Sequence, residues 1–207
     1  TFTLVHGHRA FVSQHIGDLE NLETLEHFHA SLDRFRTLFR IEPEAVVHDL
    51  HPGYFSTRVA RESGLRVLPA VQHHHAHAAA VMAEYGRTGP VLALAFDGVG
   101  YGEDGTVWGG EILQADLLGF RRVGHLRPAP LPGGDLAARN PWRAALGYLM
   151  LDHHLAPAFA LALDGVQEAE RAMAELQATR GVNAPWASSM GRLFDAAAAV
   201  LGLRLKA

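Results

Sequence analysis

An α/β architecture in two lobes is predicted by three features of the sequence. Helical and extended apolar periods alternate along the chain. Residues 91–96, Val-Leu-Ala-Leu-Ala-Phe, form an apolar run without alternation, as expected of a strand covered on both faces. A joint at Gly89-Pro90 separates two strand-and-helix units, residues 1–89 and 90–207.

In the first unit, residues 2–5 and 9–13 read as short strands joined at His6-Gly7-His8, where the glycine supports a hairpin. A polar loop runs from Ser13 to Asp18. Leu22, Leu25, Phe28, Leu32, Phe35 and Phe39 recur at three- and four-residue spacing, which predicts a helix over about 21–40, ended by Pro43. Ala45-Val46-Val47 is a short strand running into His48-Asp49-Leu50-His51-Pro52-Gly53, either a tight turn or a ligand contact. A helix over 54–63 capped by Gly64 and a strand over 66–69 deliver the chain to Val71-Gln72-His73-His74-His75-Ala76-His77. Alanines and Met82 favour a helix over 73–85, which Gly86 and Gly89-Pro90 stop.

The second unit opens with the strand 91–97, ending at Asp97-Gly98. The segment 98–105 carries four glycines in eight residues, Gly98 and Gly100 among them. Such a backbone can approach a phosphate closely, or it can form a long hairpin turn before a strand over 106–113. Residues 124–135 form an ordered proline-rich loop ending in a flexible pair, Gly133-Gly134. Asn140 caps and Pro141 opens a helix through Leu151, and another helix spans about 166–179. The last helix starts near Ser188-Ser189, both good caps. Gly191 in its first turn is costly unless something must come close. Asp195, one turn on, can hold a sugar hydroxyl or stand as a solvated carboxylate.

Composition narrows the function. The 207 residues carry a net charge of −4, which gives no basic footprint for nucleic acid or an anionic membrane. No cysteine is present, so disulfides, thiolate metal sites and cysteine nucleophiles are excluded within these residues. No apolar run approaches the roughly 20 residues of a membrane span, and the amino end lacks a signal-peptide pattern, which by default reads as cytoplasmic. Both ends read as cut. Thr1 enters a strand-like segment directly, and the chain stops just beyond a helix.

Chemistry concentrates at the histidine run. On a helix, His73 and His77 stand one turn apart on one face, close enough to hold one metal ion, and Asp97 can supply an oxygen. Each has an ordinary alternative: histidines on a helix surface, and an aspartate serving a turn. Two histidines and a carboxylate suit zinc, iron or manganese.

Several stretches together resemble a known family. They are Asp49-Leu50-His51-Pro52-Gly53-Tyr54-Phe55-Ser56-Thr57, the run from Val71 to His77, Phe96-Asp97-Gly98 with Trp108-Gly109-Gly110-Glu111, Pro130-Leu131-Pro132-Gly133-Gly134-Asp135, and Ser188-Ser189-Met190-Gly191-Arg192-Leu193-Phe194-Asp195. In collinear order over nearly the whole chain, they resemble the carboxy-terminal carbamoyltransferase domain of the hydrogenase maturation protein HypF. The resemblance implies a duplicated RNase-H-like fold of the actin, hexokinase and Hsp70 type, related to tRNA threonylcarbamoyl transferases. It implies a divalent metal, zinc or iron, held by His73, His77 and Asp97, with His74 and His75 as bystanders or supporting groups. It also implies nucleotide contacts at Gly98, Gly100, Gly133, Gly134, Gly191 and Asp195.

The implied reaction transfers a carbamoyl group from carbamoyl-adenylate, made from ATP in a neighbouring adenylate-forming domain, to the carboxy-terminal cysteine of a HypE-like partner. His15, His51 and His125 are the candidates for a general base. The resemblance puts a first-lobe glycine segment before Thr1, and a further aspartate ligand after Ala207, so the fragment alone is expected to be inactive. Two other readings stay open: a small-molecule O-carbamoyltransferase, and a non-catalytic module stabilised by its metal.

Overall fold

The computed structural model of the chain describes residues 1–203 apart from Asp18, Glu20, His153 and Leu155, so Asp18 of the expected polar loop and the tail 204–207 lie outside the described residues. Its contacts divide the chain into two units, Thr1–Val71 and Gln72–Ala207. This division falls before the histidine helix, whereas the glycine–proline joint lies after it, because that helix packs on strands of the second unit.

In the first unit, β1 (Thr3–His6) and β2 (Arg9–Val12) form the expected hairpin, with His6 opposite Arg9. Helix α1 (Leu22–Phe39) lies against it through aromatic edges: the Phe2 ring meets Phe28 at 5.5 Å and Phe35 at 5.2 Å, and Phe11 stacks on Phe39 at 4.1 Å. These contacts follow from the three- and four-residue spacing of the phenylalanines. Asn21 caps α1 by accepting from the Thr24 N–H at 2.8 Å, and Arg40 closes it in a left-handed conformation.

Strands β3 (Ala45–Val46) and β4 (Arg66–Val67) pair in parallel, joined by α2 (Phe55–Glu62), which supplies the crossover such a pair needs. The pairing extends beyond the strands. Leu50 N–H donates to the Val71 carbonyl and Val71 N–H to that of His48. The His48 to Gly53 segment is an ordered turn: Asp49 Oδ1 accepts from His51 N–H at 2.8 Å, and buried Thr57 donates to the His51 carbonyl at 2.9 Å.

The second unit begins with α3 (His73–Glu84), packed on β5 (Val91–Tyr101) and β6 (Val107–Ala115) through Ala78, Ala93, Leu113 and Ala115, with Phe120 of the following strand against the same cluster. Strand β6 is central. It pairs with β5 on one side, and on the other with β7 (Phe120–His125) and with β9 (Trp186–Ala187), which in turn pairs with β8 (Ala129–Pro130). Helices α4 (Leu136–Arg139), α5 (Pro141–Leu151), α6 (Ala156–Leu163), α7 (Glu168–Arg180) and α8 (Met190–Val200) follow. The main core gathers Leu131, Ala144, Ala145, Phe159, Ala187 and Ala199. Strands β7 and β9 and helices α4 and α6 were not apparent from sequence periodicity.

Four expectations need correction. Strand β5 is not covered on both faces: Leu92, Leu94 and Phe96 are 68%, 62% and 61% exposed, because α3 covers only the face of Ala93 and Ala95. Nor does β5 end at Asp97. It runs on to Tyr101 through a register shift between Phe96 and Gly100, so the glycine-rich segment makes the far end of a hairpin, turning at residues 102–105. The glycine pair Gly133-Gly134 is a buried, hydrogen-bonded turn rather than a flexible one. Both residues have left-handed φ, and their N–H groups donate to the carbonyls of Asn183 and Leu131. Asn140 sits at the start of α5 without capping it by its side chain, which donates instead to the Leu136 carbonyl at 2.9 Å.

Capping therefore separates two asparagines. Asn21→Ala should cost about 1 kcal/mol of unfolding free energy, and Asn140→Ala should cost less, as read by urea denaturation of the two variants.

Candidate metal centre

The geometry starts at Gln72. Its Oε1 accepts from the His75 N–H at 3.0 Å, which caps α3 and fixes the amide, since a backbone N–H can only donate. Its Nε2 then donates to the Tyr101 carbonyl at 3.2 Å and faces His74 Nδ1 at 3.0 Å. The cap thus joins the helix start to the end of β5. Helical phase separates the histidines. His75 turns to the β6–β7 turn, its Nε2 donating to the Asp116 carbonyl at 2.8 Å, and His74 is fully buried. His73 and His77 share a third direction, with Nε2 atoms 3.2 Å apart.

Asp97 faces this pair from the bulged part of β5. Its Oδ2 lies 3.0 Å from His73 Nε2 and 3.7 Å from His77 Nε2, while its Oδ1 accepts from the Gly98 N–H at 2.6 Å. A triangle with these sides has a circumradius of about 1.9 Å, so one ion close to its plane reaches all three atoms at about 2.0–2.2 Å, the range for nitrogen and oxygen ligands of zinc. Asp97 Oδ2 is buried and makes no hydrogen bond despite the nearby histidine. A polar atom in that state calls for a partner, and the donor set fits a divalent ion. His73, His77 and Asp97 are the one such cluster among the described residues. His77 is 59% exposed, so the fourth side opens to solvent.

The last helix holds the bulge from behind. Ser189 Oγ accepts from the Arg192 N–H at 3.0 Å, capping α8, and donates to the Gly98 carbonyl at 2.6 Å. A methyl group on Gly191 would come within 2.9 Å of Gly98 Cα, which is the close approach that a glycine in a first helical turn suggests. Asp195 is partly buried, with Oδ2 3.0 Å from Arg192 Nη2, and is not a solvated carboxylate. Among the other site residues expected from sequence, Gly98 faces open space, whereas Gly100 is buried against the His74 ring. The candidate bases occupy separate segments. His51 accepts from the Gly53 N–H and stacks on Tyr54, His125 donates to the Leu126 carbonyl, and His15 is exposed in the loop after β2.

A second polar cluster, not foreseen as a unit, supports the first. Fully buried Glu111 accepts from Arg122 Nε and Ser188 Oγ, each at 2.6 Å, and from the Gly109 and Gly110 N–H groups. Arg122 lies over the Trp108 ring, 4.0 Å from its centre. Ser188 is consequently a network member, and Ser189 alone caps α8. A glutamate inside the apolar run Val-Trp-Gly-Gly-Glu-Ile-Leu was the available signal, because a carboxylate there demands partners. Burial pushes the Glu111 pKa up, but the hydrogen bonds from Arg122, Ser188 and the two glycines outweigh it and leave the value lowered. Burial, and then the neighbouring His73, push the His74 pKa down, so this ring is neutral near pH 7.

Residues 1–84 match the family model described as the HypF Kae1-like domain, and residues 93–207 match the second subdomain of the carbamoyltransferase Kae1-like domain. The chain belongs to this family of HypF carbamoyltransferase Kae1-like domains. It is 46% identical over 207 residues to carbamoyltransferase HypF2 of Cupriavidus necator, covering 99% of this chain and 25% of that protein. It is 33% identical over 208 residues to the probable carbamoyltransferase HypF of Methanocaldococcus jannaschii, covering 98% of this chain and 27% of that protein. The chain thus spans about a quarter of the length of these relatives.

Among solved structures it resembles a full-length HypF in a phosphate- and nucleotide-bound form, with TM-score 0.92, 42% identity, and 99% of this chain covering 32% of that one. It also resembles HypF of T. kodakarensis, with TM-score 0.81, 35% identity, and 96% of this chain covering 28% of that one. The α/β fold is therefore the Kae1-like fold of HypF.

The Glu111 network carries a pH signature. Because its folded pKa is lowered, its contribution to stability is complete above the ordinary glutamate value and is lost as pH falls through the lowered one. Glu111→Gln should cost about 3 kcal/mol or more at pH 7 and flatten the acid limb of the stability curve, as measured by denaturant unfolding between neutral and acidic pH.

Proposed function

We propose that the chain is the transfer domain of a HypF-type carbamoyltransferase, moving the carbamoyl group of carbamoyl-adenylate to the carboxy-terminal cysteine thiol of a HypE-like protein. The observation that carries this is the triangle of His73 Nε2, His77 Nε2 and Asp97 Oδ2, one side open to solvent. The family supports carbamoyl transfer, and the nucleotide-bound HypF neighbour supports a nucleotide as part of the substrate. A lobe division near residue 89 is proposed alongside, on the spans of the two family models.

In the transfer, the thiol sulfur bonds to the carbamoyl carbon, the bond from that carbon to the phosphate oxygen breaks, AMP leaves, and the thiol proton passes to a base. A divalent ion, when bound, supplies Lewis acidity and a template for the carbamoyl or phosphate oxygen. His73 and His77 hold it from one face of α3, and Asp97 holds it from the bulge with a negative charge. Ser189 and Gly191 keep α8 against that bulge, so the proposed nucleotide contacts at Gly98, Gly191 and Asp195 stay in register with the ligands. Gly100, Gly133 and Gly134 enter the nucleotide reading indirectly, as buried supports. The missing cysteine agrees with a nucleophile on the partner. No helix among the described residues is long and apolar enough to cross a membrane, and cytoplasmic action is proposed with the rest.

His73→Ala in the full-length parent protein should abolish carbamoyl transfer to a cysteine-ended HypE-type peptide while leaving the far-UV spectrum and melting temperature close to wild type. Undiminished transfer would refute the catalytic centre. A large fall in melting temperature with apo-like unfolding would favour a structural metal.

A further inference from the structure

His74 is the buried group that the proposed function leaves without a task. Its ring is fully buried, its Nε2 has no hydrogen-bond partner, and that atom stands 3.8 Å from Asp97 Oδ2, which likewise makes no hydrogen bond although it lies 3.0 Å from His73 Nε2. Two buried polar atoms facing each other across less than 4 Å are costly unless they can serve one another. Which of them donates is decided at Gln72. The His75 N–H fixes Gln72 Oε1, so Nε2 is the atom facing His74 Nδ1 and must donate to it. Nδ1 is then the acceptor of the neutral ring, and the ring proton sits on Nε2, the nitrogen 3.8 Å from Asp97 Oδ2.

We propose that His74 is a positioning residue, whose Nε2–H, held in that tautomer by Gln72, orients the Asp97 carboxylate toward the ion that Asp97 shares with His73 and His77. The proposal rests on the metal centre described above. Turning the carboxylate by about 1 Å brings Oδ2 into hydrogen-bond range of Nε2. Such an outer partner fixes a ligand's direction and strengthens the site.

Two alternatives conflict with the geometry. A fourth ligand needs a bare nitrogen lone pair, and Gln72 puts the proton on the nitrogen that faces the centre. A purely apolar packing role does not need a polar ring here. Gly100 leaves room for the imidazole itself, since a methyl group at that position would lie 2.4 Å from His74 Cε1. That clearance gives Gly100 a reason to be glycine in the middle of a strand.

The test combines a tautomer measurement with zinc affinity on the full chain. Long-range proton–nitrogen correlation of the metal-free protein should show His74 protonated at Nε2, and Gln72→Glu should move the proton to Nδ1. Zinc affinity, measured by chelator competition, should fall about tenfold or more in His74→Phe and in Gln72→Glu. His74→Gln, which returns an N–H near the Nε2 position, should recover most of it, with melting temperatures recorded for each variant.

Unchanged affinity in the first two variants, a proton on Nδ1 in the wild type, or loss of the Nε2 proton on zinc loading would overturn the proposal. The His73→Ala variant separates the two levels. If it binds zinc as tightly as wild type, the metal centre is wrong and the proposal falls with it. If it loses zinc while His74→Phe keeps it, only the role of His74 is wrong.

Discussion

The bulge in β5 at Asp97 and Gly98 is the constraint on which the rest of the second unit depends. A regular strand would continue its two-residue alternation and hold each side chain in register with β6. Alternation already turns Asp97 to the face of Ala93 and Ala95, toward α3 and its histidines, and the register shift between Phe96 and Gly100 then releases residues 97–99 from the regular β6 ladder. Such a distortion persists only if its surroundings hold it. Here Ser189 and Gly191 brace it from α8, and Gly109 lies so close that a methyl group there would come within 2.6 Å of the Asp97 carbonyl oxygen. Gln72 ties the far end of the strand to the start of α3. The proposed metal ligands on two elements and the proposed nucleotide helix on a third are thereby referred to one backbone segment.

The buried polar groups of this unit fall into two kinds. Glu111 has a partner for each oxygen, and its network joins β6, β7 and the residue before the α8 cap; its role is to fix those elements. Asp97 Oδ2, His74 Nε2, Arg192 Nε and Asp195 Oδ2 make no hydrogen bond, although Asp97 Oδ2 stands 3.0 Å from His73 Nε2 and Asp195 Oδ2 3.0 Å from Arg192 Nη2 as ion-pair contacts. A satisfied buried carboxylate makes structure, whereas unsatisfied groups around an opening make a site. Such atoms also occur on α5, at Trp142 Nε1 and Arg143 Nε, so it is the position of Asp97 Oδ2 and His74 Nε2 beside His73 that marks them for the proposed ion.

Much of this was legible in the sequence. The i, i+4 spacing of His73 and His77 placed both on one face of a helix, and the cost of Gly191 announced a close neighbour before Gly98 was known to be it. The apolar spacing from Leu22 to Phe39 gave α1 almost to the residue, while its asparagine cap emerged only from the structure. What was not legible depends on partners far along the chain. The apolar run of β5 could not reveal that only one face has a cover. The continuation of that strand past Asp97 depends on pairing with β6, and β9 is two residues long with no period of its own. Ser188 and Ser189 looked alike as caps, and only the distant Glu111 and Gly98 separate their roles.

One ion is proposed to sit among His73, His77 and Asp97. Anomalous diffraction at the zinc edge, from crystals of the chain grown with zinc, tests it most directly. A single strong peak is expected about 2.0–2.2 Å from the Nε2 atoms of both histidines and from Asp97 Oδ2. A peak on other residues, or none at this triangle with zinc in excess, would contradict it.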